Sequence, residues 1–402
     1  MASKIVLTLL ALGCAKGAMA QAWTSNTVPI RQWSSISCSA DGTTMAATVF
    51  GGNIYSSTNS GTTWATNGAS VRGWISAAGS ADGLKLVAAA VNDGIYLSTN
   101  CGATWNSSDA GPQNWVQVAS SANGVHLFAV TYSGYCYYST NAGKNWHIFT
   151  NLPSSQWSSV ACSADGTKVL ASVSLDDPPI YSSTNSGGTW VKSSIVGQPG
   201  AGVVSSADGR RFFAISYGMI YLSTNAGVSW AACASAGAGN ALACSADGVH
   251  LLTADNQATY PVTNNVHIYV SSNSGTSWQA TVVSNAFILK SPASIAVASS
   301  ADGNDLALAN GNTKAYVGLG GYAGSLYTLQ PTPHPRLNIS ATVTNLAIGW
   351  IIPSANFVLQ QSADLVNWSD ATNVPELDYT NLEYETIVSP LGGCEFYRLA
   401  TP

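Results

Sequence analysis

The chain has 402 residues, of which only 8% are charged and 46% are apolar, and its formal net charge is −5. An ordinary soluble domain has roughly 25% charged residues. This composition excludes a disordered chain, which needs high charge, a nucleic-acid-binding protein, which needs a basic stripe, and a coiled coil, which needs abundant Glu and Lys. Glu, Lys and Arg are scarce while β-branched, aromatic and turn residues are plentiful, which favours an all-β fold.

The first 20 residues have the pattern of a signal peptide. Lys4 provides a basic start, Ile5–Leu12 is an apolar run, and Ala18-Met19-Ala20 matches a cleavage signal. We therefore predict that residues 1–20 are removed and that the protein is secreted, in the extracellular medium or at the cell surface. No later stretch approaches 18 uninterrupted apolar residues, so we expect no membrane span.

Two short sequence boxes recur along the chain and define repeats of about 40 residues. The first box is Ser39-Ala40-Asp41-Gly42, and its third position recurs at Asp82, Asn123, Asp165, Asp208, Asp247 and Asp302. The second box runs from Ser57 to Trp64, and its amide position, Asn59, recurs at Asn100, Asn141, Asn185, Asn225 and Asn273. In the first repeat the apolar runs predict strands at Ser34–Ser39, Thr44–Phe50, Asn53–Ser57 and Trp64–Asn67. Four strands in about 40 residues are typical of one blade of a β-propeller.

The number of boxes predicts how the propeller closes. There are seven first boxes but six second boxes, so the seventh repeat lacks its fourth strand. The mature N-terminus, from Gln21 to Asn26, matches the fourth strand of the first repeat, from Thr63 to Asn67. We therefore predict a seven-bladed β-propeller over residues 21–330, in which the N-terminal strand completes the last blade and removes an open sheet edge.

The second box resembles the Asp-box (BNR) repeat of the sialidase-like, xyloglucanase-like and sortilin-like propellers. One departure is consistent, because Asn replaces the usual Asp in all six boxes. Asn can still accept hydrogen bonds from turn amides. The resemblance implies a structural role for the six Asn residues on the outer rim of the blades, and it leaves the activity of the protein open.

A proline-rich linker is predicted to separate a second domain from the propeller. Residues 331–335 read Pro-Thr-Pro-His-Pro, a stiff and extended sequence. Residues 336–402 contain alternating apolar runs and all four Glu residues of the chain, and they predict a small β-sandwich. The stretches FVLQQSADLVNW and EFYRLA resemble the fibronectin-III-like C-terminal modules of exported bacterial proteins.

Four tryptophans and two arginines are the candidate ligand-binding residues. Trp33, Trp74, Trp115 and Trp157 stand at the same place in four consecutive repeats, at the start of the predicted innermost strand, and Arg31 and Arg72 precede two of them. Indole faces with nearby guanidinium donors suit a sugar ring, so these residues predict a carbohydrate site on the face that carries the longer loops. The alternative is that the tryptophans only pack between blades.

Candidate catalytic residues are few. Asp176, Asp177 and Asp255 lie in loops predicted on that face and are the catalytic candidates. Asp176-Asp177 is the one adjacent acidic pair of the predicted propeller and could act as an acid or base or bind calcium, but a solvated turn before Pro178-Pro179 is the favoured interpretation. Asn92-Asp93-Gly94 is predicted only as a hairpin turn. The predicted propeller contains no Glu, and a glycoside hydrolase needs two suitably spaced carboxylates.

The cysteines give no pattern typical of a metal site. No C-x-x-C motif or His/Cys cluster occurs, so we expect no metal and no cofactor. Of the seven cysteines that remain after residue 20, Cys233 and Cys244 are the one local pair that could form a disulfide.

The sequence thus predicts a secreted, monomeric, non-catalytic propeller that binds an extracellular glycan or cell-surface component on its loop face. Two alternatives stay open: a glycoside hydrolase or polysaccharide lyase, and a structural cell-surface or assembly protein.

Overall fold

The computed structural model describes most of residues 24–329 and several strands beyond them. The described ranges are 24–25, 28–29, 31–66, 68–174, 179–194, 202–216, 218–235, 241–255, 266–283, 294–303, 306–311, 326–329, 337–341, 346–351, 358–362, 369–371, 376–378, 383–388 and 396–400. Their regular structure is entirely β, with no helix in any of these ranges. The predicted signal peptide and linker lie outside the described residues. The described ranges therefore contain no helix long and apolar enough to cross a membrane.

The first four repeats each contribute four antiparallel strands in sequence order, after a short N-terminal strand. These strands are β1 (Thr24–Ser25), β2 (Trp33–Cys38), β3 (Met45–Gly52), β4 (Ile54–Ser57), β5 (Ala65–Thr66), β6 (Arg72–Gly79), β7 (Leu86–Ala90), β8 (Ile95–Ser98), β9 (Asn106–Ser107), β10 (Trp115–Ser120), β11 (Leu127–Thr131), β12 (Cys136–Ser139), β13 (His147–Ile148), β14 (Trp157–Cys162), β15 (Val169–Val173), β16 (Pro179–Ser183) and β17 (Val191–Ser194). Strands β2–β5 form repeat 1, β6–β9 repeat 2, β10–β13 repeat 3 and β14–β17 repeat 4. Pairing of β3 with β6 joins repeats 1 and 2 into one eight-stranded sheet.

The later repeats follow the same order. Their strands are β18 (Val203–Ser205), β19 (Phe212–Ser216), β20 (Met219–Ser223), β21 (Ala231–Ala232), β22 (Ala241–Cys244), β23 (Leu251–Asp255), β24 (Val266–Ser271), β25 (Gln279–Val283), β26 (Ser294–Ser299), β27 (Leu306–Gly311) and β28 (Leu326–Leu329). Strands β18–β21 form repeat 5 and β22–β25 repeat 6, while β26–β28 belong to repeat 7. The fourth strand of the sheet of repeat 7 is β1, which pairs with β28 through Thr24 opposite Thr328 and Ser25 opposite Tyr327.

The first box forms the turn between the first and second strands of a repeat. In repeat 1, Asp41 Oδ1 accepts hydrogen bonds from Ser39 Oγ at 2.5 Å and from the Thr43 amide at 3.0 Å. Gly42 takes φ = +70°, a left-handed conformation that glycine adopts without strain. The same Ser-to-Asp hydrogen bond recurs in the later repeats, so these aspartates act as turn formers.

The alanines of the first boxes link the repeats into a closed ring. The amide of each alanine donates to the carbonyl of the alanine in the next repeat, at 2.6–2.8 Å, in the order Ala40, Ala81, Ala122, Ala164, Ala207, Ala246, Ala301 and back to Ala40. The ring closes on itself because the Ala301 amide donates to the Ala40 carbonyl. The described sheets of the seven repeats are therefore arranged around one common centre.

Hydrophobic clusters lie between neighbouring repeats. One cluster joins Val87 and Ile95 of repeat 2 to Trp115 and Val118 of repeat 3. Another joins residues of repeat 1 to Ala307 and Leu326 of repeat 7, across the closing point of the ring. A single repeat cannot bury both faces of its sheet, so the packing of neighbours supplies the core.

Residues 337–400 form two further sheets. The strands are β29 (Leu337–Ala341), β30 (Leu346–Ile351), β31 (Val358–Ser362), β32 (Ser369–Asp370), β33 (Glu376–Asp378), β34 (Glu383–Val388) and β35 (Phe396–Ala400). Four of them pair in the order β29-β30-β34-β33, and the other three in the order β32-β31-β35. The stretches that predicted strands in this region contain β31 and β35.

Candidate binding site on the loop face

The two ends of the sheets differ in the connections that they carry. One end, here called the turn face, carries both sequence boxes. The opposite end, here called the loop face, carries the connections from second to third strand and from one repeat to the next. In repeats 1–3, the connection between the second and third strands pairs with the backbone of the following repeat. The pairs are Gly52 with Arg72, Asp93 with Gln113, and Gly134 with Ser155. The backbone of the loop face is thus held by contacts between repeats.

The four predicted binding tryptophans are buried. Trp33 is 1% exposed, and Trp74, Trp115 and Trp157 are 0% exposed. Each packs edge-on or tilted against a tyrosine of the third strand in its own repeat, with ring centroids 4.9–5.5 Å apart. Indoles without exposed faces cannot stack on a sugar. The predicted role of these tryptophans as a stacking surface is therefore corrected, because their rings complete the core between the sheets.

The indole N–H groups nevertheless shape the loop face. Trp115 Nε1 donates to the Asp93 carbonyl of the preceding repeat at 3.0 Å, and Trp157 Nε1 donates to the Gly134 carbonyl at 3.1 Å. Trp74 Nε1 donates to the Ser70 carbonyl at 3.2 Å. A buried indole N–H needs a partner, and here that partner is a loop carbonyl. Trp74, Trp115 and Trp157 therefore hold the loops in place by hydrogen bonds donated from the core.

Arg72, Asp93 and Tyr96 form a polar cluster on this face. Arg72 Nη1 donates to Asp93 Oδ2, and the Tyr96 hydroxyl donates to Asp93 Oδ1 at 3.1 Å. The Arg72 guanidinium carbon lies 4.4 Å from the centroid of the Tyr96 ring, within range of a cation–π interaction. The Arg72 and Asp93 side chains are 31% and 36% exposed, so the cluster is accessible to a ligand.

The cluster keeps Asp93 ionised. Partial burial by itself raises the pKa of Asp93. Hydrogen bonds from the Gly94 amide, Arg72 and Tyr96, together with the charge of Arg72, lower the pKa by more than burial raises it, so the net pKa is below its usual value. Burial and the hydrogen bond to Asp93 raise the pKa of Tyr96. At neutral pH the cluster therefore holds a carboxylate, a guanidinium and a neutral phenol.

Further exposed groups lie on the loop face of repeats 1–3. Arg31 stands in repeat 1 at the place that Arg72 occupies in repeat 2, and its side chain is exposed. Val71 is 67% exposed beside Arg72, and Tyr135 is 42% exposed in the loop of repeat 3 that corresponds to the Asp93 loop. The loop face of repeats 1–3 thus combines guanidinium groups, an exposed aromatic ring and an aliphatic side chain.

The candidate catalytic residues are not placed in any site that the structure describes. Asp176 and Asp177 lie outside the described residues. Asp255 is the last residue of β23, and its backbone pairs with His267 of β24, but its side chain also lies outside the described part. In the described ranges, no group of three or more His, Cys, Asp and Glu side chains is placed to hold a metal ion.

The six box asparagines lie on the turn face, between the third and fourth strands. In repeat 1, Asn59 Oδ1 accepts from Ser57 Oγ and from the Thr63 amide, both at 2.9 Å. Asn59 Nδ2 donates to Thr63 Oγ1 at 2.9 Å, a bond that an aspartate could not donate. The Oδ1 acceptor pattern recurs at Asn100, Asn141, Asn185, Asn225 and Asn273. These residues therefore form uncharged turn networks.

The described cysteines carry free thiols. Cys233 Sγ donates to the Ser274 carbonyl at 3.8 Å and Cys244 Sγ to the Ser205 carbonyl at 3.2 Å, so the suggested disulfide between them is absent. Burial, followed by the nearby charge of Asp247, raises the pKa of Cys244 to about 12. Its thiol therefore stays protonated and acts as a small core group.

Comparison with known proteins identifies the fold. No protein-family model and no curated protein matches the chain. Among solved structures, "YCF48 bound to D1 peptide" is similar with a TM-score of 0.56 and 16% identity over 77% of this chain and 97% of that chain. "YCF48 from Cyanidioschyzon merolae" gives a TM-score of 0.55 and 15% identity over 77% of this chain and 99% of that chain. The Cps50 (Swd1) β-propeller domain of Myceliophteria thermophila gives 0.57 and 11% identity over 76% of this chain and 99% of that chain.

The chain is a β-propeller protein. Identities of 11–16% establish the fold alone, and the described sheets of the repeats agree with it because they are small, antiparallel and linked around one centre. The prediction of an all-β propeller is thereby confirmed.

The sequence interpretation missed Asp93 and Tyr96 as members of a cluster. The sequence predicts only a hairpin turn at Asn92-Asp93-Gly94 and assigns no role to Tyr96. One signal was present: Asp93 stands where the neighbouring repeats have Gly52 and Gly134. A charged residue at a place otherwise occupied by glycine, one strand away from an arginine, indicates a local ion pair.

Proposed function

We propose that this chain is an exported, non-catalytic, seven-bladed β-propeller that binds an extracellular carbohydrate on its loop face. The blade count is supported by the seven alanines of the ring and by the placement of β1 beside β28 as the fourth strand of repeat 7. Export is supported by the signal-peptide pattern of residues 1–20. A fibronectin-III-like sandwich over residues 336–402 would serve as a spacer or attachment module.

The Arg72–Asp93–Tyr96 cluster is the observation that carries the binding function. Arg72 is held by hydrogen bonding and ring contact, yet its side chain is 31% exposed. Sugar sites commonly combine planar polar side chains with an aromatic surface, and Tyr135 offers an exposed ring on the same face. Because the four tryptophans are buried, the proposed site uses these groups in their place.

The same cluster argues against acid–base catalysis by Asp93. A general acid at neutral pH needs a raised pKa, whereas the hydrogen bonds from Gly94, Arg72 and Tyr96 overcome the effect of burial and lower the pKa of Asp93. Its carboxylate is also occupied by Arg72 and Tyr96. We therefore assign Asp93 to positioning rather than to proton transfer.

A glycan array and polysaccharide-degradation assays on the full mature chain test this proposal. We expect at least one glycan to be bound and none to be degraded. Tyr135→Ala should weaken binding because it removes an exposed ring of the loop face. Ile148→Ala, at the outer strand β13 and 40% exposed, is the matched control and should bind as the wild type does. Degradation of any polysaccharide would favour the enzyme alternative instead.

A structural cell-surface or assembly role is the second candidate. The observation that favours it is the burial of Trp33, Trp74, Trp115 and Trp157, which stiffens the ring without offering a ligand surface. A blank glycan array together with inactive degradation assays would support this role and remove the binding proposal.

A further inference from the structure

We propose that Arg72 is a docking point for an oxyanion of an acidic polysaccharide, with Arg31 as a second point for the same polymer. This inference rests on the proposed function and names the class of carbohydrate. Nη1 is the guanidinium nitrogen of Arg72 that hydrogen-bonds within the described part of the chain. Nε and Nη2 therefore remain as donors, and together they match the two oxygens of a carboxylate.

The orientation of this guanidinium is fixed before any ligand arrives. Arg72 is paired with Asp93, and its guanidinium carbon lies over the Tyr96 ring, 4.4 Å from the centroid. A flexible arginine loses side-chain entropy when it binds, whereas a preoriented arginine loses less. The contacts of Arg72 thus favour its use as a recognition group.

The partner of Arg72 is itself held firmly. The Asp93 carbonyl accepts hydrogen bonds from the Gln113 amide at 3.1 Å and from Trp115 Nε1 at 3.0 Å. The Asp93 carboxylate accepts a further bond from the Gly94 amide at 2.8 Å. Trp115 is therefore a positioning residue that acts on Arg72 through Asp93.

The repeat arrangement suggests a polymer rather than a single sugar acid. Arg31 and Arg72 occupy equivalent places, two residues before Trp33 and Trp74, in adjacent repeats. Arg31 is exposed and the side chain of Arg72 is 31% exposed. A chain that presents an oxyanion on successive units could contact both arginines, and linked contacts increase affinity. The net charge of −5 makes such a local pair of cations distinctive.

The test uses uronic-acid oligosaccharides and their uncharged methyl esters. Oligogalacturonate, oligoalginate and hyaluronate fragments, each beside its ester, are titrated into the full mature chain by calorimetry. Wild-type protein should bind at least one acid about 10-fold or more tightly than its ester, as expected for charge-assisted hydrogen bonds. Arg72→Gln should remove that preference. Arg72→Lys should restore only part of it, because lysine keeps the charge but lacks the planar fork.

Two controls separate site chemistry from net charge. Lys144→Gln removes one positive charge from the turn face, and it should leave the preference intact. Arg31→Gln should weaken hexamers more than dimers, since a dimer reaches fewer contacts. Dextran sulfate is included to distinguish a planar carboxylate from a sulfate ester, and binding of either through Arg72 supports an oxyanion site.

The outcomes that overturn this inference differ from those that overturn the proposed function. Equal affinity for acid and ester across the panel, or equal loss in Arg72→Gln and Lys144→Gln, overturns the inference. If neutral glycans still bind in a Tyr135-dependent way, the proposed function stands without it. If no glycan of any charge binds, both fail. Binding of a peptide carboxylate in place of every acidic glycan also overturns the inference.

Discussion

The first four repeats and the last three differ in the residue that stands at the start of the first strand. Every repeat has a tyrosine in its third strand, but only repeats 1–4 have a tryptophan in the first strand. The tyrosines are Tyr55, Tyr96, Tyr137, Tyr181, Tyr221, Tyr269 and Tyr327. In repeats 5–7 the places of the tryptophans are taken by Gly200, Gly239 and Ser294. The largest fully buried side chains of the described later repeats are Phe212 and Phe213, both in repeat 5.

The tryptophans have two roles, because they fill the core and they also position the loops. A phenylalanine or leucine can fill a core, but an indole can in addition donate a hydrogen bond from the core to a loop carbonyl. In repeats 2 and 3 those carbonyls belong to Asp93 and Gly134. The half of the ring that has tryptophans is therefore the half in which buried indoles hold loop carbonyls, and it is the half in which we propose the binding surface.

The largest expected effect is that of removing one of these indoles. Trp115→Ala should lower the free energy of unfolding by about 3–5 kcal/mol, because Trp115 is fully buried. Trp115→Phe should lower it by about 1–3 kcal/mol, since it keeps a ring but removes the N–H donated to Asp93. Denaturant titration measures both values. A cost of Trp115→Ala no larger than that of an exposed residue would contradict the role of the indole in the core.

The glycines of the second box offer a comparison between the two halves. Gly187 and Gly275 have the same left-handed φ, +86° and +83°. A methyl group at Gly187 would lie 2.0 Å from Phe149 Cε1, whereas one at Gly275 would lie 2.9 Å from Cys233 Sγ. Phe149 is held between Tyr138 and Trp190, so it cannot move away easily.

We therefore expect Gly187→Ala to be more destabilising than Gly275→Ala by about 1–3 kcal/mol, the usual cost of overpacking. Both substitutions share the backbone strain of an alanine at positive φ, so that strain cancels in the comparison. Thermal and denaturant unfolding of the two variants measure the difference. Equal destabilisation would mean that Phe149 is free to move away from the added methyl group.

The box asparagines of repeats 3 and 6 differ in how their amides are used. Asn273 Nδ2 donates to Ser277 Oγ at 2.8 Å, and a hydroxyl can rotate and donate instead. Asn141 Nδ2 donates to Asn145 Oδ1 at 2.9 Å, while Asn145 Nδ2 is already committed to Asp109 Oδ2 at 3.1 Å. A flip of the Asn145 amide would therefore turn its oxygen towards Asp109.

Asn273→Asp should accordingly change the free energy of unfolding by less than about 0.5 kcal/mol. Asn141→Asp should lower it by about 1–2 kcal/mol at pH 7, because a carboxylate oxygen then faces Asn145 Oδ1 and neither atom can donate. Asn141→Asp combined with Asp109→Asn should recover part of this loss, since it frees the Asn145 amide. Equal effects of the two single variants would show that the Asp109 contact does not restrain Asn145.

Repetition made much of the fold predictable from the sequence. The first predicted strands, Ser34–Ser39 and Thr44–Phe50, correspond to β2 and β3 within two residues at each end. The count of boxes also predicts that the N-terminal strand pairs with the last repeat. The last repeat lacks a fourth strand and the N-terminus has one extra strand, and the two do pair.

The candidate site was less predictable because it depends on side-chain direction. A tryptophan at the start of a strand can point into the core or out of it, and the sequence pattern is the same in both cases. Likewise, the pairing of Arg72 with Asp93 joins two strands and a loop at a separation of 21 residues. Such contacts require the register of β6, β7 and β8, which composition and motifs do not supply.

The smallest expected effect concerns the ion pair itself. Asp93→Asn should lower stability by less than about 1 kcal/mol at pH 7, because the pair is partly exposed and screened by solvent. The folded-state pKa of Asp93 is lowered, so its contribution is present above the unfolded pKa and is lost as the pH falls through the folded value. The stability difference between wild type and Asp93→Asn should therefore be constant from pH 7 to about 5 and shrink below about pH 4. A difference that instead grows on acidification would mean that the protonated acid is the stabilising form, and Arg72 would then not be its partner.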